Sequence, residues 1–271
     1  MADTVIRTLA HLSDLHLGRG EADAWALRAM VASIVEAGID HVVVTGDVTH
    51  RGRLDELASF RRAVAPIEDR LTVVPGNHDR LGEDAGRLLM RGRVAVDRRP
   101  GLHLVRLDST APHNRRLLDG HGQLTAADVD EVVAAVGQAR PGALVAVLLH
   151  HHVHPLPGDD TWERLAALVG LPWTAELRAG QVMLERVRGR CDLVLHGHRH
   201  VPAELLLDGQ AARPLRVVNA GCTTSLGLAR LFVHAAGRIT AEAWLAAGDP
   251  RRPVTPVAPL RPFDLPVDAA A

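Results

Sequence analysis

The strongest constraint on the fold is a unit that recurs five times: a short apolar run ends, and metal-binding side chains follow almost at once. Val5–Leu12 runs into Asp14-Leu15-His16, and His41–Thr45 into Gly46-Asp47. Leu71–Val74 precedes Gly76-Asn77-His78-Asp79, and Ala143–Leu149 precedes His150-His151-His152. Asp192–Leu195 leads into His196-Gly197-His198-Arg199-His200. Between the first three runs lie Ala22–Ala37 and Leu54–Ala65, with apolar residues at helical spacing. A β-α-β-α-β order of this kind predicts parallel strands joined by right-handed crossovers. In an open α/β sheet the site forms at the carboxyl ends of the strands, where these side chains fall.

The rest of the chain extends the pattern. Leu102–Leu107 reads as a further strand, and Thr125–Ala139 as a helix opened by Thr125 with Asp128 three residues on. From Ala203 the runs Ala203–Leu207, Leu215–Val218, Ala229–His234 and Ile239–Leu245 alternate with turn signals such as Asp208-Gly209. They predict a mostly antiparallel second sheet. Pro250, Pro253, Pro256, Pro259 and Pro262 then fall on every third residue, as in a polyproline II arm. The reading is one domain over 1–247, with a cap-like insertion at 155–190 and a proline-rich tail at 248–271. Within the insertion, Asp160–Leu168 and Ala175–Val187 have helical character.

Composition narrows the function. In 271 residues, Lys+Arg is 31 and Asp+Glu 32, for a net charge of -1. No basic excess is available for nucleic acid or an anionic membrane. The longest fully apolar stretch, Ala143–Leu149, is too short to span a bilayer. The two cysteines, Cys191 and Cys222, form no CxxC pair, so a thiolate zinc site has no support. The opening MADTVIRTLAHLSD lacks the layout of a secretory signal, and the expectation is a cytoplasmic protein. Sixteen histidines are the unusual count, most of them clustered.

Ligand chemistry follows from these clusters. Residues i and i+2 of an extended segment point to one side, so Asp14 and His16 can reach one ion. Gly46 permits a sharp turn before Asp47, whose carboxylate can bridge two ions. Mixed imidazole and oxygen donors suit Mn, Fe, Zn or Co without choosing among them.

The motifs DLH, GD, GNHD, HHH and GHRH, in this order, resemble the signature of the calcineurin-like metallophosphoesterases, from about Leu9 to Ser225. The resemblance implies a four-layer αββα sandwich, an α/β (α+β) fold with two mixed sheets between helices. It implies two metal ions at the strand ends: Asp14, His16, Asp47 and His200 around one, and Asp47, Asn77, His150 and His198 around the other. A hydroxide bridging the ions would attack the phosphorus. His78 would protonate or stabilise the leaving group, with Asp79 orienting it.

Two departures stand out. The fourth motif usually reads as a histidine pair and proline; here it is HHHVHP. His150 directly follows the strand and is the expected ligand, with His151 and His154 as alternatives. The extra histidines are expected to face solvent or to stand behind the ligands. Cys222 stands where relatives often have serine, and core packing is its expected role.

Trp25 and Trp162 are candidate substrate contacts, able to stack on a base or cover an apolar leaving group. Trp173 is expected to pack the cap. The His113–His121 loop, with Arg115 and Arg116, is expected to be a solvated face.

The layout is most similar to the cyclic-nucleotide and glycerophosphodiester phosphodiesterase branch. A small phosphodiester such as a cyclic nucleotide is the implied substrate, with a phosphomonoesterase as the alternative. A DNA nuclease would bring a basic groove that the charge balance lacks, and the lipid-A-type pyrophosphatases carry arginine where His78 stands. A protein-binding scaffold of this fold has lost ligands that are all present here. A homo-oligomer is also open.

Overall fold

The alternating faces of the strands decide the layering. The computed structural model describes residues 5–116, 119–156 and 176–248. In β1 (Ile6–Leu12), Leu9 packs on one side with Val43 of β2 (His41–Thr45) and Val74 of β3 (Leu71–Val74). On the other side Ala10 and Leu12 meet Leu27, Met30 and Ile34 of α1 (Glu21–Glu36) and Leu57 and Phe60 of α2 (Leu54–Val64). Strands buried on both faces read as continuous apolar runs, which is why HVVVT carries no alternation.

The Leu9 side is the centre of the molecule. Val43 and Val74 face Leu104 of β5 (Leu102–Leu107), Ala146 and Leu148 of β6 (Leu144–Leu148), and Leu193 and Leu195 of β7 (Leu193–His196). The far faces of those strands present Val105, Val147 and Val194 to α3 (Ala126–Val136) and α4 (Gly180–Val187), through Val129, Val132, Met183 and Val187. Helices, sheet, sheet, helices: the expected four-layer sandwich is present. Each fully buried Val or Leu in these layers contributes about 1.5–3 kcal/mol. Helix α3 starts where the sequence says: the Thr125 N–H donates to Asp128 at 2.8 Å, and the Asp128 N–H donates back to the Thr125 hydroxyl at 3.2 Å.

Both sheets are mixed. The first has the order β11 (Arg238–Ala246), β10 (Leu228–Ala235), β1, β2, β3, and the second β4 (Val94–Arg99), β5, β6, β7, β9 (Leu215–Asn219), β8 (Ala203–Leu207). The parallel pairs β1/β2/β3 and β5/β6/β7/β9 all aim their carboxyl ends the same way within each sheet. Strand β4 (Val94–Arg99) is a half-buried edge whose Asp97, Arg98 and Arg99 dilute the apolar signal.

The four C-terminal runs do not form a second sheet of their own. β8 (Ala203–Leu207) and β9 (Leu215–Asn219) extend the six-stranded sheet, with β9 parallel to β7 and β8 antiparallel at the edge. β10 (Leu228–Ala235) and β11 (Arg238–Ala246) extend the five-stranded sheet as an antiparallel hairpin beside β1. The division follows burial. Leu215 and Val217 fill the helix-side core, while Val218 and Phe232 fill the space between the sheets. Strand β9 thus needs neighbours on both edges and both faces, which a hairpin alone cannot supply.

Among the described residues, no helix is long and apolar enough to cross a membrane. The segment 157–175, including Trp162 and Trp173, and the proline-rich stretch 249–271 lie outside the described residues.

Candidate metal centre

The loops after β1, β2, β3, β6 and β7 converge where the two sheets end. The first two are laced by backbone bonds: Asp14 N–H to the Gly46 carbonyl at 3.1 Å, His16 N–H to Asp47 at 2.9 Å and Leu17 N–H to Val48 at 3.0 Å. Of seven described non-glycine residues with positive φ, four are Asp14, His16, Asp47 and His198. Left-handed backbone at such residues is held in place by its surroundings and collects at functional sites. Two glycines make room. A Cβ on Gly46 would sit 2.5 Å from the His150 ring, and one on Gly197 would sit 1.8 Å from Ser13 Oγ and 2.4 Å from Asp14.

The converging side chains form two groups. Asp14, His16 and His200 lie together, with His16 Nε2 3.1 Å from His200 Nε2 and His200 Nε2 3.7 Å from Asp14 Oδ1. Asp14, Asp47 and His150 form the second, with His150 Nε2 3.4 Å from Asp47 Oδ2. Asn77 Oδ1 lies 3.0 Å from His150 Nε2 and 3.1 Å from His198 Nδ1. Asp47 stands between the groups, its Oδ2 also 3.9 Å from His16 Nε2. All seven expected ligands are therefore gathered at one place.

The donor set fits cations. The His150 Nδ1–H donates to the Thr45 carbonyl at 2.8 Å, so its Nε2 turns towards two oxygens, of Asp47 and Asn77. A lone pair there would face other lone pairs; a positive centre resolves the conflict. In the metal-free protein a proton takes that place. Burial disfavours it, but the Asp47 carboxylate outweighs burial and lifts His150 to about 9. Asp47 itself is held well below the usual range: burial pushes it up, and His150 and His78 pull it down further. Asp14 is pushed up to about 6 by burial, partly offset by His150 and His200. His198 is pushed down to about 3 by burial and by His150. A set of two carboxylates, an amide oxygen and four imidazoles, buried except for His200 at the solvent side and the half-buried His198, suits two transition-type ions.

Within the histidine run, His150 is the ring whose Nε2 reaches Asp47 and Asn77. His151 is buried with both ring nitrogens taken, Nδ1 by the Ser109 hydroxyl at 2.8 Å and Nε2–H by the Gly120 carbonyl at 2.9 Å. His154 Nδ1 bonds the Pro155 carbonyl at 2.9 Å. Of the extra histidines, His151 and His152 stand behind the ligands and His154 is half-exposed. His152 is buried and stacks on His198 with centroids 5.5 Å apart.

His78 stands half-exposed at the mouth, its backbone N–H donating to Asp47 Oδ1 at 2.8 Å. Asp79 does not orient its ring. The His78 Nδ1–H donates to the His50 carbonyl at 2.8 Å. The Asp79 carboxylate, fully buried, accepts from Gly76 N at 2.8 Å, Val48 N at 3.2 Å, Thr49 N at 2.8 Å and Thr49 Oγ1 at 2.7 Å. It splices the second and third loops. His78 and Asp79 lie on a 3-10 turn, His78–Arg80, whose successive side chains splay about 120° apart, so Asp79 faces the protein while His78 faces the site.

Sequence reasoning missed three supports. Ser109 holds the backbone N–H groups of His150 and His151 at 3.3 and 3.2 Å. A Cβ on Gly120 would sit 3.4 Å from Asn77, so the loop read as a solvated face in fact walls the centre. His50 stacks on His78 with centroids 5.5 Å apart. Their only signal in the sequence was the unexplained surplus of histidine and the return of a loop after Asp108. Cys222 is buried, with its Sγ 3.0 Å from the Asp14 carbonyl, so it packs behind a ligand loop. Trp25 is 67% exposed on α1, without a ring contact to the gathered ligands among the described residues.

A four-layer sandwich with clustered Asp, Asn and His at its strand ends defines the class as a metal-dependent hydrolase of phosphate esters. Residues 7–202 match the calcineurin-like phosphoesterase family, and the chain belongs to it. A relative from Rhodococcus erythropolis (strain PR4 / NBRC 100887), named probable cyclic nucleotide phosphodiesterase, is 29% identical over 237 residues, covering 80% of this chain and 71% of that one. Among solved structures, a dimetal phosphatase from Danio rerio superposes with TM-score 0.59 at 14% identity, covering 89% of this chain and 99% of that one. Purple acid phosphatase PPD1 from yellow lupin (Lupinus luteus) seeds gives 0.59 at 11% identity, covering 90% and 54%. These superpositions bear on the fold.

Proposed function

We propose that the protein is a dinuclear metal-dependent phosphodiesterase acting on small, cyclic-nucleotide-like phosphodiesters. The position of Asp47 between the His16 and His150 groups carries this reading. Asp14, His16, Asp47 and His200 would hold one ion, and Asp47, Asn77, His150 and His198 the other. When bound, two such ions supply Lewis acidity and positive charge for an in-line displacement at phosphorus.

The protein's own groups do the rest. Asp14 and Asp47 bring two negative charges against four from two dications, leaving the centre attractive to an anionic diester. The His50 carbonyl holds the His78 Nδ1 proton and so fixes the ring. Its Nε2 then carries the proton that the leaving alkoxide needs. Asp79 keeps the loops bearing Asp47, Asn77 and His78 in register, a positioning role. Trp25, on the helix following the Asp14–His16 loop, and Trp162 are proposed as faces for the leaving group.

The test compares bis(p-nitrophenyl) phosphate with p-nitrophenyl phosphate on Mn²⁺-reconstituted protein whose metal content is counted. Two ions per chain and a strong diester preference are expected. A strong monoester preference would replace the reading with a phosphatase.

A further inference from the structure

We propose that His16, His50 and His78 form a third, competing three-imidazole site for a zinc-type divalent ion at the mouth of the centre. One nitrogen from each of the three rings can be chosen so that all lie within 4.8 Å of one another. The ring centroids are 4.7 Å apart for His16 and His78, 5.5 Å for His50 and His78, and 5.8 Å for His16 and His50. Neither Asp14 nor Asp47 belongs to this group, and His50 belongs to neither of the two inner groups.

Three features make it a ligand set rather than a chance stack. The His50 carbonyl holds the proton on His78 Nδ1, which leaves the neutral ring with its lone pair on Nε2. Carbonyl-anchored imidazoles are the usual form of histidine ligands. His50 Nδ1 is buried and has no hydrogen-bond partner among the described residues. His50 and His78 are half-exposed while His16 is buried, which opens the group on one side to solvent. Three neutral nitrogens with no carboxylate favour zinc, copper or nickel over manganese or magnesium, and three histidines with one open position is a common zinc arrangement.

The group shares His16 with one inner group and uses the His78 nitrogen assigned to the leaving-group proton. That second link rests on the proposed function. An ion held at the mouth removes both, so zinc in excess inhibits turnover through His50.

The experiment loads chelated protein with Mn²⁺ and titrates Zn²⁺ by calorimetry, with bound metals counted. Wild type is expected to show a zinc-binding event that His50→Ala and His50→Gln weaken at least tenfold. Zinc inhibition of diester hydrolysis should move to at least tenfold higher concentration. In wild type alone, zinc should shift the ring-nitrogen NMR signals of His50. Identical zinc isotherms for the three proteins, or no shift at His50, would overturn the inference. A wild type that binds no Mn²⁺ yet shows the His50-dependent event would sink the dinuclear reading and leave this one standing.

Discussion

Replacing Asp79 by asparagine tests how the ligand loops are held. Its carboxylate receives four donors, two on each oxygen: Thr49 N and Thr49 Oγ1 on Oδ1, Val48 N and Gly76 N on Oδ2. Asparagine keeps the shape but turns one of those oxygens into a donor. If the amide NH₂ faces the Oδ2 side, two backbone N–H groups lose their acceptor. If it faces the Oδ1 side, the Thr49 hydroxyl can rotate to accept, and one N–H is orphaned. Each buried orphan costs about 1–3 kcal/mol, and the two remaining bonds lose charge assistance worth about 1 kcal/mol each. The carboxylate is itself strained by burial and by Asp47, both of which push its pKa up, and removing the charge relieves part of the loss. Asp79→Asn should therefore destabilise by about 2–4 kcal/mol, and Asp79→Ala, which orphans three N–H groups, by more. Urea unfolding of chelated protein at pH 8, with unchanged m-values, measures this apart from metal binding. Stability of the asparagine variant within about 0.5 kcal/mol of wild type would refute the donor-count reasoning.

Further consequences can be checked on the same protein. Asp47→Asn should lose metal and nearly all activity, whereas His78→Ala should keep both ions and lose turnover; metal loss in step with activity in His78→Ala would remove its proton-transfer role. His11 and His41 are buried neutral, pushed down to about 3 and about 4, chiefly by desolvation, with Arg230 and Arg99 adding to it. The unfolded chain takes up these protons near pH 6.5 and the folded chain does not. Their stabilising effect is thus complete above about pH 6.5 and is lost as pH falls towards 4 and 3, at about 1.4 kcal/mol per pH unit for each ring. His41→Gln should remove one proton from that slope in urea titrations, and an unchanged slope would contradict it. Gly197→Ala forces a methyl into the space of Ser13 and Asp14, and should lower metal affinity at least tenfold in dialysis, with little change in the affinity of Ser13→Gly.

The centre was legible in the sequence because its signal is local. Each ligand lies within a few residues of the end of an apolar run, and strand ends are where such sheets put their sites. The preference for His150 over His151 came from the same local signal: His150 is the first residue past the apolar run Ala143–Leu149, and its Nδ1–H reaches the Thr45 carbonyl of the other sheet. What the sequence could not show were arrangements made by distant pairings. Asp79 follows His78 directly, yet three of its four donors come from residues 31 and 30 positions earlier. The sharing of the last four strands between two sheets depends on β1 and β7 each having a free edge, which no local pattern announces. Ser109 and Gly120 entered only when β5 and β6 were placed side by side.

Asp14, His16, Asp47 and Asn77 hang from the five-stranded sheet, whereas His150, His198 and His200 hang from the six-stranded one. Apolar contacts fill the space between the central faces of these sheets, with polar links from Thr72 to Asp97 and from Arg230 and Glu242 to Glu204 and Arg216, and apolar contacts let layers slide more readily than hydrogen bonds do. Ions at the strand ends would act as rivets between two plates. Chelation should then quicken hydrogen exchange first at the carboxyl ends of β1, β2 and β6, leaving the opposite ends protected, so that the catalytic edge is also where the fold comes apart.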